Sequence, residues 1–292
     1  MGEQFPPDLG LYTRPGTTRG VQQPIHMEGV TLFGLFGSGE FLPWAGPVDT
    51  WLVESSPHRD GRVLVVPTAS APEGDTVFER WAAMGAEHYR RLGAAPEVVP
   101  IKVREDAARP EAVAMVRGAS LVFFSGGNPA HLCRCLRGTP FWAAVVEAVA
   151  AGCALAGSSA GVSFLGAVTV DSAVASAGGP AAEIWVEGMG YFPRAVFGPH
   201  WDALEGWRPG AQAMTLAAVP DRSTFLGIDE DTAVVGDGLH WEVRGRGGAT
   251  VRPPGEAGFV VEAGERFELP LSEVATRGAG SPAGTTREAP GR

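Results

Sequence analysis

The stretch "CALAGSSAGVSFLG", Cys153 to Gly166, decides how the fold is read. It opens on a short apolar run of the kind that forms a buried strand, and it closes on a segment that reads as a helix. Between them, Gly157-Ser158-Ser159-Ala160-Gly161 fits G-x-S-x-G with Ser159 at the centre. A sharp strand-to-helix turn of this kind pushes the central side chain out above the sheet. Its neighbours must be small because the backbone there is strained and crowded. The N–H after the serine, on Ala160, is then free to face a developing oxyanion. Ser158 lies one position early and should point back into strand packing. A chain with 41 glycines meets this pattern easily by chance, so the surrounding sequence has to decide.

Outward from that turn, apolar runs alternate with helical spacing. "VTLFGLFG", "GRVLVVPTAS", "EVVPI" and "SLVFFSGG" read as strands. "TVFERWAAMGAEHYRRLG" has Phe78, Trp81, Ala82 and Tyr89 near one face and Gly93 as a stop. "RPEAVAMVRGA", "NPAHLCRCLRG" and "PFWAAVVEAVAAG" read as further helices. Continuous apolar strands separated by helices predict an α/β fold, a mostly parallel sheet covered on both faces. Sites in such sheets form at the carboxyl ends of the strands. From about Thr224 to Pro270 the pattern becomes strand, turn, strand, which predicts a C-terminal antiparallel meander at one edge. Residues 1–28 read as an irregular arm, 29–274 as one α/β domain, and 275–292 as a low-complexity tail that cannot bury a core.

Bulk properties exclude several classes. A net charge of −10 argues against a nucleic-acid surface. No apolar run is long enough to span a bilayer, and the first residues lack a basic-then-apolar signal, so the expected location is cytoplasmic. The three cysteines are spaced for neither zinc nor redox work, and no metal or cofactor is expected. Nothing in the sequence argues against a homodimer.

Three further features accompany the serine turn. In "FFSGGNPAHL" a strand ends at Gly126-Gly127 and Asn128-Pro129 opens a helix, so a backbone N–H there can approach a ligand closely. The alternative is merely a tight turn. Of six histidines, His26 lies in the arm, His58 in a polar loop, and His88 on the charged side of a helix. His131 follows the Gly-Gly turn, and His240 lies within a hairpin strand. His200, in "VFGPHWD", follows an apolar run as a strand-end residue would and is the best placed base. "FLGIDEDTAVV" sets Asp229, Glu230 and Asp231 between apolar runs, where one of them can orient a histidine. Spacing alone does not say which.

Taken in order, "FFSGGNPAHL", "AGSSAGVSFLG", "GMGYFPRAVFGPHWD" and "LGIDEDTAVV" resemble the cyanophycinase and dipeptidase E family of serine peptidases. The resemblance covers about Val30 to Leu271. It implies a class I glutamine amidotransferase-like, flavodoxin-like α/β fold with Ser159 as nucleophile, His200 as base and Glu230 as the orienting acid. It also implies oxyanion N–H groups from Gly127 and Ala160, with Gly126 as a neighbour in the same turn. The chain departs from cyanophycinases in having Gly126-Gly127-Asn128-Pro129 where they resemble one another in Gly-Gly-Asp-Gln. It also lacks their Asp-Gln before the histidine and their arginine-rich run after it. The Gly-Gly-Asn form is closer to the dipeptidase branch, so a small peptide or isopeptide is the expected substrate rather than cyanophycin. Substrate contacts are expected from Gly126, Asn128, Trp201 and Arg208, with Trp207 beside them. Arg134 reads as solvated.

Competing readings are weaker. An ordinary α/β-hydrolase would need the order Ser159, Asp229 or Asp231, then His240, and no His-Gly oxyanion motif precedes the turn. "GLFGSGEFL" fails as a dinucleotide loop because Leu42 stands where the third glycine belongs. Glutamine amidotransfer would need cysteine in place of Ser159. A decayed binding module on the same fold is the remaining non-enzymatic reading.

Overall fold

A computed structural model describes residues 31–58 and 60–271, so the expected arm and tail lie outside the described residues. The strands are β1 Phe33–Phe36, β2 Arg62–Val66, β3 Ala95–Val98, β4 Leu121–Phe124, β5 Ala154–Ser158, β6 Val168–Val170 and β7 Trp185–Glu187. They continue with β8 Ala195–Pro199, β9 Thr224–Ile228, β10 Thr232–Gly236, β11 His240–Gly245, β12 Gly248–Arg252, β13 Phe259–Glu262 and β14 Arg266–Glu268. The main sheet has eight strands in the order β14-β11-β10-β1-β5-β4-β2-β3. Strands β1, β5, β4, β2 and β3 pair in parallel, and β10, β11 and β14 extend the sheet antiparallel. A second sheet runs β13-β12-β9-β8, and β6-β7 form a two-stranded ribbon.

The apolar runs form these strands because both faces of the parallel sheet are buried. Side chains alternate between faces, and the parity is visible in the packing. Phe36, Val63, Val65, Leu121, Phe123, Ala154 and Ala156 share one core with the helices Gly46–Ser55 and Asp75–Arg91. Leu35, Leu64, Val66, Val122, Phe124 and Leu155 face the other core, which includes the helices Pro129–Leu136 and Pro140–Ala150 and residues of the second sheet. Strand β3 alternates exposed with half-buried residues, as an edge strand does.

The antiparallel strands expected near the C-terminus are present, but consecutive ones are shared between the two sheets. Strand β9 lies in the second sheet and β10 in the first, so Asp229-Glu230-Asp231 is the crossover from one to the other. The crossover is held tightly: Gly37 N–H donates to the Thr232 carbonyl at 2.8 Å, and a side chain at Gly37 would collide with the Asp229 carbonyl. This brings the carboxyl ends of β1, β4 and β5 beside those of β8 and β9. Helix Gly46–Ser55 and the short helices within 172–217 have no counterpart in the sequence analysis. No helix among the described residues is long and apolar enough to cross a membrane.

Candidate active site

The elbow follows β5 directly. Ser159 has φ 54° and ψ −113°, a backbone region that costs a non-glycine residue on the order of 1–3 kcal/mol. Its N–H is held by the Phe36 carbonyl at 3.1 Å, and its carbonyl accepts from Val162 and Ser163 N–H groups. Glycine is required on both sides. A Cβ at Gly157 would lie 1.9 Å from the Gly161 carbonyl oxygen, and one at Gly161 would lie 2.0 Å from that of Phe124. Both obstacles are backbone, which has no rotamer to retreat into. Gly161→Ala should therefore lose roughly 3 kcal/mol of stability through overpacking, a drop of about 6–12 °C in unfolding midpoint at this chain size. A calorimetric midpoint within about 2 °C of the parent would contradict the crowding described here.

His200 comes from the second sheet, immediately after β8, and has φ 151°. Its Nε2 lies 2.6 Å from Ser159 Oγ, and its Nδ1 lies 3.4 Å from Glu230 Oε1. The first contact is short and the second long. Parallel pairing of Pro199 with Ile228 sets the two strand ends side by side, so the residues after them can meet. The three acids separate clearly. Asp229 Oδ2 accepts the Gly248 N–H at 2.8 Å, and burial pushes its carboxyl above the usual range. Asp231 pairs with Arg246 at 2.7 Å. Glu230 alone faces the histidine, and Asp202 Oδ1 supports it by accepting the Glu230 N–H at 2.9 Å.

After β4, the Gly126–Asn128 loop passes next to Ser159. Gly126 N–H donates to Glu40 Oε1 at 2.9 Å, and Asn128 N–H donates to the Ala69 carbonyl at 2.8 Å. The Gly127 and Ala160 N–H groups have no acceptor among the described residues. Gly127 sits at φ +138°, and a Cβ there would lie 2.4 Å from the Ala69 backbone. A Cβ at Gly126 would stand 3.5 Å from Ser159 Cβ and 3.8 Å from its Oγ. Glycine thus leaves the space beside the serine open.

A serine on a strand-to-helix elbow, bonded to a histidine that is backed by a carboxylate, is the arrangement of serine acyl transfer. Residues 35–243 match the sequence profile of peptidase family S51. The chain belongs to peptidase family S51. Cyanophycinases from Nostoc sp. (strain PCC 7120) and Trichormus variabilis are each 30% identical to it over 206 residues, 66% of this chain. The alignment spans 64% of the length of these curated relatives. The crystal structure of a peptidase from an acI-B1 actinobacterium superposes with a TM-score of 0.72 at 32% identity, covering 82% of this chain and 97% of that one. A Listeria monocytogenes protein assigned to peptidase E shares the fold, with a TM-score of 0.51 at 16% identity over 80% of this chain and 98% of its own.

Other residues expected around this S51 site are committed elsewhere. Asn128 is a helix cap: its Oδ1 accepts from Ala130 and His131 N–H groups, and its Nδ2 donates to Asp171. Trp201 is buried against Phe225, with ring centroids 4.6 Å apart, and it fills the space over Gly198 and Gly227. Its ring is committed to packing. Arg208 donates to the Ala175 carbonyl at 3.2 Å and so braces a neighbouring short helix. Arg134 pairs with Asp171 and is not simply solvated. His88 is buried, with Nε2 2.7 Å from Asp49 Oδ2, although its neighbours in sequence are charged. His131 Nε2 meets the Lys102 carbonyl, and His240 is exposed beside Asp237. Burial pushes the thiols of Cys133 and Cys135 up to about 11 and that of Cys153 up to about 12, far from a reactive thiolate. Among the described residues no cluster of three His, Cys, Asp or Glu side chains could hold a metal ion.

Two further side chains stand at the site: Trp207, expected there from the sequence, and Glu40, which the sequence analysis missed. Trp207 is 61% exposed, and its ring lies 5.1 Å from the His200 ring. Glu40 is buried beside the elbow, where Oε2 accepts the Ser158 hydroxyl at 2.6 Å. Its signal was an acid at the end of the Gly37-Ser38-Gly39 turn that follows an apolar strand run.

Proposed function

We propose that the protein is a serine peptidase-type hydrolase that cleaves a small peptide or isopeptide amide bond through an acyl-enzyme. The observation that carries this reading is the 2.6 Å contact between Ser159 Oγ and His200 Nε2 at the elbow. In the first half-reaction Ser159 Oγ attacks the scissile carbonyl carbon and His200 Nε2 takes its proton. The carbonyl oxygen becomes an oxyanion facing the Gly127 and Ala160 N–H groups. His200 then gives the proton to the leaving amine as the C–N bond breaks. Water repeats the sequence in reverse to release the acid and free Ser159. Glu230 accepts from Nδ1 and keeps the imidazole in the tautomer whose Nε2 is a base.

The surroundings favour a compact substrate over a polymer rich in arginine. Holding arginine side chains bidentately takes carboxylates with both oxygens open. Here Asp202 is bonded to the Glu230 N–H, Asp229 to the Gly248 N–H, and Glu205 to the Gly210 and Gln212 N–H groups. What stands open beside His200 is the Trp207 ring, which suits an apolar flank next to the scissile bond. The curated relatives are cyanophycinases, so release of β-aspartyl-arginine from cyanophycin is the second reading.

A fluorophosphonate probe followed by a dipeptide and isopeptide library, with cyanophycin in parallel, tests both. Labelling with turnover of small amides supports the first reading. Efficient β-aspartyl-arginine release would replace it with the second, and an unlabelled protein would leave a binding module. Trp207→Ala should raise KM about tenfold for substrates with an apolar flanking residue and leave kcat within about twofold, as loss of uniform binding does. An unchanged KM across the library would remove Trp207 from the substrate site.

A further inference from the structure

The segment Gly37-Ser38-Gly39-Glu40 fails as a dinucleotide loop, yet it delivers a side chain to the centre of the molecule. Glu40 is 6% exposed and bridges two segments far apart in sequence. Oε2 accepts the hydroxyl of Ser158, the last residue of β5 before the nucleophile, at 2.6 Å. Oε1 accepts the N–H of Gly126, the residue before Gly127, at 2.9 Å. Both partners are donors, which matches the acceptor-only chemistry of a carboxylate. A separation of 2.6 Å is in the range of charge-assisted O–H···O bonds.

We propose that Glu40 is a positioning residue that fixes the oxyanion hole relative to the nucleophile. The inference rests on Ser159 being the nucleophile. Around Gly127 the backbone is held on both sides: Gly126 N–H by Glu40 and Asn128 N–H by the Ala69 carbonyl at 2.8 Å. The Gly127 N–H between them is the one with no acceptor among the described residues. Releasing Gly126 frees the peptide plane that aims that N–H. The same carboxylate holds Ser158, so the end of β5 and the loop after β4 move together or not at all. Gly126 fills the space between them, since a Cβ there would stand 3.1 Å from Glu40 Oε1 and 3.5 Å from Ser159 Cβ. Because Gly126 N–H is already bonded, the oxyanion donors are Gly127 and Ala160. Glu40 touches no reacting atom and acts through those two segments.

Three variants separate geometry from charge. Glu40→Gln keeps an acceptor for Gly126 and a group that bonds the rotatable Ser158 hydroxyl. Glu40→Asp keeps the charge but is too short to span both donors, and Glu40→Ala removes both bonds. Losing a well-aimed oxyanion donor costs roughly 10²–10³ in kcat, so Ala and Asp should fall by about that much with KM within about threefold. Gln should stay within about tenfold of the parent on the same scale. Hydrogen exchange at the Gly126 amide, read by NMR in the full chain, should accelerate in Ala and Asp and not in Gln. If Ala does not fold, Asp and Gln carry the comparison. Equal losses in Gln and Asp, a loss confined to KM, or unchanged Gly126 exchange in Asp would overturn the proposal. A parent protein that neither labels nor hydrolyses would overturn the peptidase reading instead, and Gly126 exchange would still decide whether Glu40 holds the loop.

Discussion

Ser159→Ala should abolish turnover, lowering kcat by about 10⁶-fold, as removal of the nucleophile does in other serine triads. The residue has no substitute within reach. Ser158 is the nearest hydroxyl, but it is fully buried and donates to Glu40, so it cannot attack a carbonyl above the sheet. Ser163 is buried as well and is bonded to Thr169. The elbow φ of 54° turns the Ser159 side chain away from these two and toward His200. Ser158→Ala should cost far less, about tenfold, because it removes one of the two bonds that Glu40 makes and leaves the triad in place. Intact-mass and peptide mapping of phosphonate-treated protein would locate the adduct. An adduct on Ser158, or turnover within tenfold of the parent in Ser159→Ala, would refute the assignment.

Much of this architecture is legible locally. The runs at β1, β2, β4 and β5 are almost wholly apolar because parallel strands are buried on both faces, and their shortness and bounding turns mark them as strands of a covered sheet. The elbow is legible because its glycines answer a steric demand only a few residues long. Less legible is anything decided by where a distant segment arrives. Whether Asn128 contacts substrate or caps a helix depends on Asp171, and whether Trp201 is a pocket wall or a plug depends on Phe225. Three consecutive acids look alike in sequence, and the change of sheet at the crossover gives each a different neighbour. Glu40 is the sharpest case. Its two partners lie 86 and 118 residues away, and no periodicity encodes that meeting.

Backbone strain marks the site as clearly as the side chains do. Among the described residues the non-glycine positions with positive φ are Phe41, Ser159, His200 and Asp231. Two are themselves the bonded serine and histidine, and the other two directly follow Glu40 and Glu230. Each such position costs on the order of 1–3 kcal/mol and persists only where packing leaves no alternative. Here the packing is the convergence of β1, β5, β8 and the β9–β10 crossover. Strained backbone of this kind clusters at functional sites, and two of these four positions are the bonded pair itself.

His200→Ala should match Ser159→Ala, with kcat about 10⁶-fold down, because the two residues act as a unit. The double variant should therefore be no slower than either single one. Glu230→Gln should cost less, about 10⁴-fold, since the acid orients the base and does not itself react. Its 3.4 Å separation from Nδ1 and its half-exposed position fit a supporting role. Asp231→Asn breaks a pair with the exposed Arg246 at the surface and should leave kcat within about twofold, as surface pairs are worth little. Asp229→Asn weakens the acceptor for Gly248 N–H, so its effect should appear in the unfolding midpoint before it appears in turnover. His240→Ala supplies the decisive contrast. That histidine is exposed and paired with Asp237, and it lies on β11, separated from β1 by β10. Measured side by side under saturating substrate, retained turnover in His200→Ala with loss in His240→Ala would move the base to His240 and restore the order of an α/β-hydrolase. The 2.6 Å contact between Ser159 and His200 predicts the reverse.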